Sequence, residues 1–318
     1  MLAAFSVGSM AIQPALGKDF PTKSVEIVVP FASGSPQDIM SRLVAETAPK
    51  YLGQPIVVVN KPGAGGSIAA ADVISSKPDG YKLYCGINNF FALTTKTQKI
   101  PFDASHLIPL VNFIEYKSGM CVSGSSPWKN LNDLLDYGRK NPGKLRWGHS
   151  GRGIKEHIVG SLIFRKAGVE AIDIPYPGGV PQKTAALLGG HIDASAMTYG
   201  TVKDLVRAGK MRFLLVIRDQ RYSDPSDVPS AAELGFPEVG RLLTCSGFFI
   251  HKDTPEEIKK TLFDVFKKIY DDPEFSKKFK ELGDEPRFGG PEFLAETIRR
   301  SEELGVPMLK ELGLYVAN

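Results

Sequence analysis

The sequence is poor in the residues that build metal sites and disulfides. Its 318 residues include three cysteines, Cys85, Cys121 and Cys245, and five histidines. Three cysteines leave at least one unpaired, so they do not form a disulfide framework. There is no CxxC pair and no cluster of His and Cys along the chain, so a structural zinc site is not expected. We therefore expect neither a metal nor a cofactor.

Several functional signatures are also missing. The chain has no Gly-x-Ser-x-Gly elbow of a hydrolase, no Gly-Lys-Ser/Thr phosphate loop and no G-x-G-x-x-G dinucleotide fingerprint. Its 39 basic and 35 acidic residues are spread along the chain, and no basic run alternates with aromatic residues. A nucleic-acid partner is therefore not expected. With 42% hydrophobic and 23% charged residues, the composition is that of a globular protein large enough for two domains.

Charge is absent from the first 17 residues, which are small and apolar and end in Ala15-Leu16-Gly17. This pattern is typical of the apolar region and cleavage site of a secretory signal peptide. The segment is interrupted by Pro14 and is too short for a membrane span. We assign residues 1–17 as a probable signal peptide and expect the mature protein to be exported.

One stretch, residues 25–48, predicts a buried strand, a loop of small residues and an amphipathic helix. Ser35 is a good N-cap, Pro36 suits the first helical position, and Asp38 follows three residues after the cap as in a variant capping box. Such a helix start presents unpaired N–H groups and the positive end of the helix dipole. The sequence therefore predicts a place where an anion can bind.

A second stretch repeats this design in the other half of the chain. A predicted strand at 145–148 enters the loop 149–153, which opens another amphipathic helix. Two such loops suggest one anion site built from two domains. The glycine-rich loop at 60–67 is interpreted as a tight turn that allows close packing.

The order of the remaining elements favours an α/β fold. Strand and helix patterns alternate along the chain, which predicts mostly parallel sheets with ligands at the carboxyl ends of the strands. By that reasoning Asn88, Tyr176, Gly178, Thr198 and Tyr199, each just after a predicted strand, are candidate ligand-binding residues. The pattern also predicts helices at 126–140, about 273–282 and 291–304, and a helix opened by a capping box at 254–257.

Seven motifs occur in a characteristic order between Pro21 and about Leu312. They are Val28-Val29-Pro30-Phe31 with Gly34 and Asp38, Asn60-Lys61-Pro62-Gly63-Ala64-Gly65-Gly66, Pro78-Asp79-Gly80-Tyr81, Asn141-Pro142-Gly143-Lys144-Leu145, Gly151-Arg152-Gly153 with His157, Leu187-Leu188-Gly189-Gly190 and Ala208-Gly209-Lys210-Met211. In this order they resemble the extracytoplasmic solute receptors of tripartite tricarboxylate transporters, the Bug family.

This resemblance implies a two-lobe periplasmic binding protein fold of type II-like topology, with two mostly parallel sheets flanked by helices and the ligand cleft between the lobes. The chain would cross between lobes near 122–125 and 243–246. Residues 18–123 plus 246–318 would then form lobe 1, and residues 124–245 would form lobe 2. The implied function is capture of a small organic carboxylate in the periplasm and its delivery to membrane permease subunits. We expect a monomer.

The resemblance also implies which residues hold the ligand carboxylate. In lobe 1 they are Phe31, Ala32, Ser33, Gly34, Ser35 and Asp38, and in lobe 2 they are Ser150, Gly151, Gly153 and His157. The chain departs from the family pattern at Gly34-Ser35, where Gly-Gly is usual, at His149, Ile154 and Lys155, and at Met197-Thr198-Tyr199. These departures lie in the specificity region, so the usual substrates cannot be carried over.

Several alternatives stay open at this point. Asp38 is interpreted as chiefly structural, against the possibility that it repels the ligand. Arg152 or Lys155 could provide an ionic contact to the ligand, or both could point to solvent. A disulfide between Cys121 and Cys245 would need them to be neighbours, whereas each also fits as a small core residue.

Two other functions compete with the receptor. One is an α/β enzyme acting on a carboxylated substrate with His157 as its base, and the other is a sensory binding protein for a membrane kinase. A turnover assay separates a receptor from an enzyme, because a receptor binds its ligand without converting it.

Overall fold

The computed structural model describes residues 20–316, and the predicted signal peptide at 1–17 lies outside them. These residues form two sheets, each covered by helices, and we call each sheet with its helices a lobe. The first lobe contains a six-stranded sheet, and the second contains a five-stranded sheet. The predicted two-lobe α/β fold is confirmed.

The strands of the described residues are short, and most of their residues are buried. They are β1 Val25–Val29, β2 Ile56–Asn60, β3 Lys82–Ile87, β4 Leu107–Glu115, β5 Ser118–Ser123, β6 Leu145–His149, β7 Ala171–Pro175, β8 Ala194–Thr198, β9 Met211–Val216, β10 Cys245–His251 and β11 Glu285–Gly289. The order is β11-β4-β10-β3-β1-β2 in the first sheet and β7-β6-β8-β5-β9 in the second. The sequence pattern did not predict β11, because its residues include Glu285, Pro286 and Arg287 and it pairs only at the edge of the sheet.

Helices connect most of these strands and cover both faces of each sheet. They are α1 Pro36–Thr47, α2 Pro49–Leu52, α3 Ser67–Ile74, α4 Asn88–Ala92, α5 Leu131–Lys140, α6 Lys155–Lys166, α7 Val180–Leu188, α8 Tyr199–Arg207, α9 Pro237–Gly240, α10 Glu256–Asp271, α11 Pro273–Glu281 and α12 Pro291–Glu311. None of the helices in residues 20–316 combines the length and the apolar character needed to cross a bilayer.

Strand direction in each sheet follows from where the chain changes lobes. In the first sheet β1, β2, β3 and β4 run one way and β10 and β11 the other, and in the second sheet only β5 opposes the rest. The sheets are therefore mixed rather than mostly parallel as the sequence predicted, with four parallel and five antiparallel strand pairs among the described residues. The antiparallel pairs arise because β5 and β10, the first strands after each change of lobe, insert between strands of the other orientation, and because β11 pairs antiparallel at the sheet edge.

The first crossing lies earlier than the sequence predicted. β4 ends at Glu115 in the first sheet, and β5 begins at Ser118 in the second. The chain therefore crosses at Tyr116 and Lys117 rather than near 122–125. The prediction was wrong because two apolar strands separated by a two-residue connection look like consecutive strands of one sheet. The return crossing just before Cys245 agrees with the prediction.

The last helix joins the two lobes. α12 packs on α4 and β4 of the first lobe and also contacts α6 of the second. Near its end, Met308 and Leu309 belong to the same buried cluster as Leu162 and Trp147 of the second lobe. The predicted assignment of 246–318 to the first lobe alone is therefore wrong for the end of α12, which packs into the core of the second.

Two predicted helix starts are corrected. α5 begins at Leu131, where Asn130 and Asp133 form a capping box, and not at 126. α10 begins at Glu256 with Pro255 in the cap position, so Thr254 lies one residue too early to cap it. The Thr254 hydroxyl is buried without a hydrogen-bond partner in the described chain.

The three cysteines are free and buried. Cys121 lies in β5 and Cys245 in β10, and each packs among apolar side chains of its own sheet. The alternative of a disulfide between them is therefore not realised. Burial raises the pKa of the Cys85 and Cys245 thiols to about 12, which keeps them protonated.

Gly160 provides a test of how tightly α6 is packed on its sheet. A Cβ atom at this position would lie 2.2 Å from Cε2 of Trp147, whose ring is buried and cannot move aside. Gly160→Ala should therefore lower the free energy of unfolding by about 1–3 kcal/mol, although alanine favours a helix. Ser161→Ala, one residue along the same helix, is the control and should change it by less than ~0.5 kcal/mol. Urea denaturation measures both, and equal stability of the two variants would contradict this packing.

Candidate functional site

A cavity of about 70 Å³ lies between the two lobes. The first lobe contributes the start of α1 and the second lobe the start of α6, and the crossing segments close the cavity between them. It is lined by Phe31, Ser35, Pro36, Gln37 and Ile87 of the first lobe, Tyr116, Ser118 and Thr244 at the crossings, and Ser150, Ile154, Lys155, Glu156, Gly179, Val180, Ala196, Met197, Thr198 and Ile217 of the second.

The loop before α1 is held by a carboxylate from the first turn of that helix. Ser35 caps α1 as predicted, its Oγ accepting the N–H of Asp38 at 3.3 Å. Asp38 folds back and accepts the Gly34 N–H at 2.9 Å and the Ser33 hydroxyl at 3.3 Å. Arg42 also donates to the Asp38 carboxylate. Two loop donors that could have held a ligand anion are therefore occupied by an internal carboxylate.

The pKa of Asp38 reflects these contacts. Burial opposes ionisation, but the hydrogen bonds from Arg42, Gly34 and Asn60 outweigh it and hold the pKa of Asp38 below its usual value. The carboxylate is therefore charged at neutral pH and is a fixed part of the loop.

The loop before α6 has the same design. The Glu156 carboxylate accepts the Ser150 N–H at 2.9 Å and the Ser150 hydroxyl at 2.8 Å. On its other side Glu156 pairs with Lys183, whose Nζ lies 2.6 Å from the carboxylate and also donates to the Ala196 carbonyl. Lys183 is fully buried, and the pair supplies each of the two charges with a partner.

A third cluster lies behind this loop. His149, His157 and Asp173 offer ligand atoms that all lie within 4.8 Å of one another, a grouping that could hold a metal ion. However, Nδ1 of His149 accepts the Gly151 N–H and Nδ1 of His157 accepts the Gly153 N–H, both at 3.2 Å. A neutral imidazole that accepts at Nδ1 carries its proton on Nε2. Both Nε2 protons therefore point towards Asp173, and in this tautomer neither Nε2 has a lone pair for a metal.

The charges of this cluster agree with that arrangement. Burial lowers the pKa of His149, and burial together with the neighbouring His149 lowers the pKa of His157 to about 4. The guanidinium of Arg152 lies 2.9 Å from the Asp173 carboxylate and is largely exposed. His149, His157 and Asp173 therefore stabilise the loop before α6, because the two imidazoles accept its N–H groups. None of the three side chains lines the cavity.

Lys155 points the other way, into the cavity. Its side chain is buried, and its Nζ donates to the Thr244 hydroxyl at 2.7 Å. Burial lowers the pKa of Lys155 to about 8. The alternative that both Arg152 and Lys155 point to solvent is therefore wrong for Lys155.

Four of the predicted ligand-binding residues line the cavity, namely Phe31, Ser35, Ser150 and Thr198. Gly151 and Arg152 line a neighbouring hollow with the glycine loop Gly63 to Gly66. The others line neither space: Ala32, Ser33, Gly34, Asp38, Asn88, Gly153, His157, Tyr176, Gly178 and Tyr199.

The polar side-chain atoms of two of these residues form hydrogen bonds within the protein. Asn88 is buried, donates to Ser301 and Leu243, and accepts the Cys245 N–H, so it fastens the return crossing rather than facing a ligand. The Tyr199 hydroxyl donates to Asp224 at 2.9 Å.

The sequence reasoning missed the cavity residues Tyr116, Ser118 and Thr244 at the crossings, and Ile217 directly after β9. Placing the first crossing correctly would have identified Tyr116 and Ser118, because residues at the crossings lie next to the cleft in a two-lobe fold. Nothing in the local sequence distinguishes Ile217 or Thr244.

A family model described as the tripartite tricarboxylate transporter family receptor matches residues 40–314. Among curated proteins, a Cupriavidus necator protein described as a UPF0065 protein in the gbd 5' region is 33% identical over 321 residues, covering 99% of this chain and 95% of its own. The match therefore extends over nearly the whole of both chains.

Solved structures of related proteins have the same fold as this chain. A Rhodopseudomonas palustris protein solved with adipate superimposes with a TM-score of 0.86 at 27% identity, covering 93% of this chain and 99% of its own. MatC from the same organism, solved with bound malate, gives a TM-score of 0.79 at 26% identity, covering 90% and 99%.

The contacts of Asp38 predict its contribution to stability. Asp38→Asn removes the charge that Gly34 and Arg42 bind, and should lower the free energy of unfolding at pH 7 by about 1–3 kcal/mol. Because the folded-state pKa is depressed, the wild-type advantage should be complete at pH 7 and should shrink as pH falls below about 4. Glu46→Gln, an exposed change on the same helix, is the control. A pH-independent difference, or one no larger than that of the control, would contradict this role.

The buried pair of Glu156 and Lys183 predicts a strongly non-additive result. Glu156→Gln leaves the Lys183 ammonium buried without its counter-charge and should cost about 3–5 kcal/mol, unless the lysine releases its proton. The double variant Glu156→Gln, Lys183→Met should regain most of that loss. Urea denaturation of the single and double variants measures the coupling, and equal losses in both would refute it.

Proposed function

The chain belongs to the tripartite tricarboxylate transporter receptor family, and from that premise we propose that it binds a small organic carboxylate in the cavity between its lobes. The observation that carries this proposal is the meeting of two helix starts at one enclosed space. Ser35, Pro36 and Gln37 at the start of α1 and Lys155 and Glu156 at the start of α6 all line it.

Helix starts favour anions because their first N–H groups have no acceptor within the helix and the helix dipole is positive there. In this chain the internal carboxylates of Asp38 and Glu156 bind the loops that precede the helices. The N–H groups of Gln37, Lys155 and Glu156, in the first turns themselves, are the donors left for a ligand carboxylate. The adipate and malate in the two related structures support the ligand class.

The receptor function is favoured over the enzyme alternative by the position of His157. The imidazole lies behind the loop, accepts the Gly153 N–H and faces Asp173, so it does not reach the cavity as a general base would have to. The protein acts, on this proposal, by binding a solute without converting it.

Membership of the family supports a proposal for the cellular role. We propose that the mature chain works in the periplasm after export by its first 17 residues, and that it delivers its ligand to the membrane permease subunits of a tripartite tricarboxylate-type transporter.

Calorimetric titration tests the ligand class. The protein should bind at least one member of a panel of dicarboxylates that includes adipate and malate, and it should not bind the corresponding diamides, because these lack the charge that the helix starts attract. Incubation of the bound acid with the protein, followed by chromatography, should return it unchanged. Binding of uncharged compounds alone would refute the carboxylate, and conversion of the acid would refute the receptor.

A further inference from the structure

Lys155 has a charge without a counter-charge. The residue is buried, with 7% of its surface exposed, and the hydrogen-bond partner of its ammonium is the neutral hydroxyl of Thr244. Within residues 20–316 Lys155 forms no ion pair with a carboxylate. Glu156 pairs with Lys183 instead, and Glu115 pairs with Arg218 and Arg287. A buried ammonium in this situation is costly, which is why the pKa of Lys155 falls to about 8.

Other basic side chains around the cleft have acidic partners. Lys183 pairs with Glu156, Arg152 with Asp173, and Lys117 with Glu285. Among residues 20–316, Lys155 is the single basic residue in the lining of the cavity. The acidic residue of that lining, Glu156, is already engaged by Lys183 and Ser150. The cavity therefore carries one positive charge that the described chain does not neutralise.

The position of Lys155 separates two places that attract anions. Its backbone is the first residue of α6, at the loop end of the cavity next to Ser150. Its ammonium reaches Thr244, the residue before β10, at the crossing end. The helix start and the ammonium are thus one lysine side chain apart, a stem of four carbons.

The walls between these two places are mainly apolar. Phe31 and Ile87 line the cavity from the first lobe, and Ile154, Val180 and Met197 line it from the second. A ligand that fits has an apolar middle and an acidic group at each end.

We propose that Lys155 is the residue that selects dicarboxylates, by binding the second carboxylate of a ligand whose first carboxylate lies at the helix starts. This inference rests on the proposed function and deepens it. The ligand carboxylate takes the place of the counter-charge that the chain lacks, while the Thr244 hydroxyl holds the ammonium in position. The length of the lysine stem favours an acid such as adipate, whose carboxylates are separated by four methylene groups.

The test compares adipate with hexanoate, which has the same carbon chain but one carboxylate, in the wild type and in Lys155→Met. Calorimetry should show that Lys155→Met weakens adipate binding about tenfold or more, as expected for a charge-assisted hydrogen bond, and changes hexanoate binding by less than about threefold. Lys166→Met, at the exposed end of the same helix, is the matched control and should leave both affinities unchanged. Melting temperatures of all variants confirm folding, and Lys155→Gln replaces the methionine variant if that one unfolds.

The possible failures are distinguishable. If the wild type binds adipate and Lys155→Met binds it equally well, the assignment of Lys155 is overturned while the proposed function stands. If the variant loses adipate and hexanoate to the same extent, Lys155 only shapes the site and the selection of a second carboxylate is overturned. If the wild type binds neither these acids nor other mono- or dicarboxylates, both the proposed function and this inference fail.

Discussion

The geometry of the cleft depends on two carboxylates that fold back from the first turn of a helix onto the loop before it. Asp38 binds the loop that precedes α1, and Glu156 binds the loop that precedes α6. These bonds satisfy backbone and hydroxyl donors of the two loops. The loops are thereby fixed in one conformation, and the helix starts that follow them are presented to the cavity. The same device occurs once in each lobe, which makes the two halves of the site alike in construction although their sequences differ.

The supporting partners of these carboxylates explain why so few side chains near the cleft are free. Asp38 is bound by Arg42 and Asn60, and Glu156 is bound by Lys183. Behind the second loop, His149 and His157 accept loop N–H groups and direct their remaining protons towards Asp173. Polar groups that the sequence suggested as ligands for an anion are thus mostly used within the protein. Their role is to hold backbone in place, because a buried polar group without a partner is costly.

The sequence was sufficient for the parts of the fold that depend on local pattern. The strand at Val25–Val29, the Ser35 cap and the helix at Pro36–Thr47 follow from apolar spacing and capping chemistry, and the structure confirms them. The order of motifs was sufficient for the family and the two-lobe architecture. The position of the first crossing was not predictable in this way, because only strand pairing across the sheet separates β4 from β5. Which loop donors stay free was also beyond the sequence, since Asp38 and Glu156 reach their partners through side-chain geometry that spacing does not specify.

The distribution of charge in the cleft follows from the same requirement that buried charged groups have partners. A buried carboxylate on one lobe needs a cation, and the chain supplies Arg42 for Asp38 and Lys183 for Glu156. Lys155 breaks this pattern, since it is buried on the cavity side with only a hydroxyl as partner. A protein gains no stability by burying a charge in this way, because desolvation outweighs a single neutral hydrogen bond. The cost is consistent with a site whose counter-charge is supplied by the ligand. When a carboxylate binds, its attraction to the Lys155 ammonium offsets the free-energy cost of burying that ammonium in the folded chain.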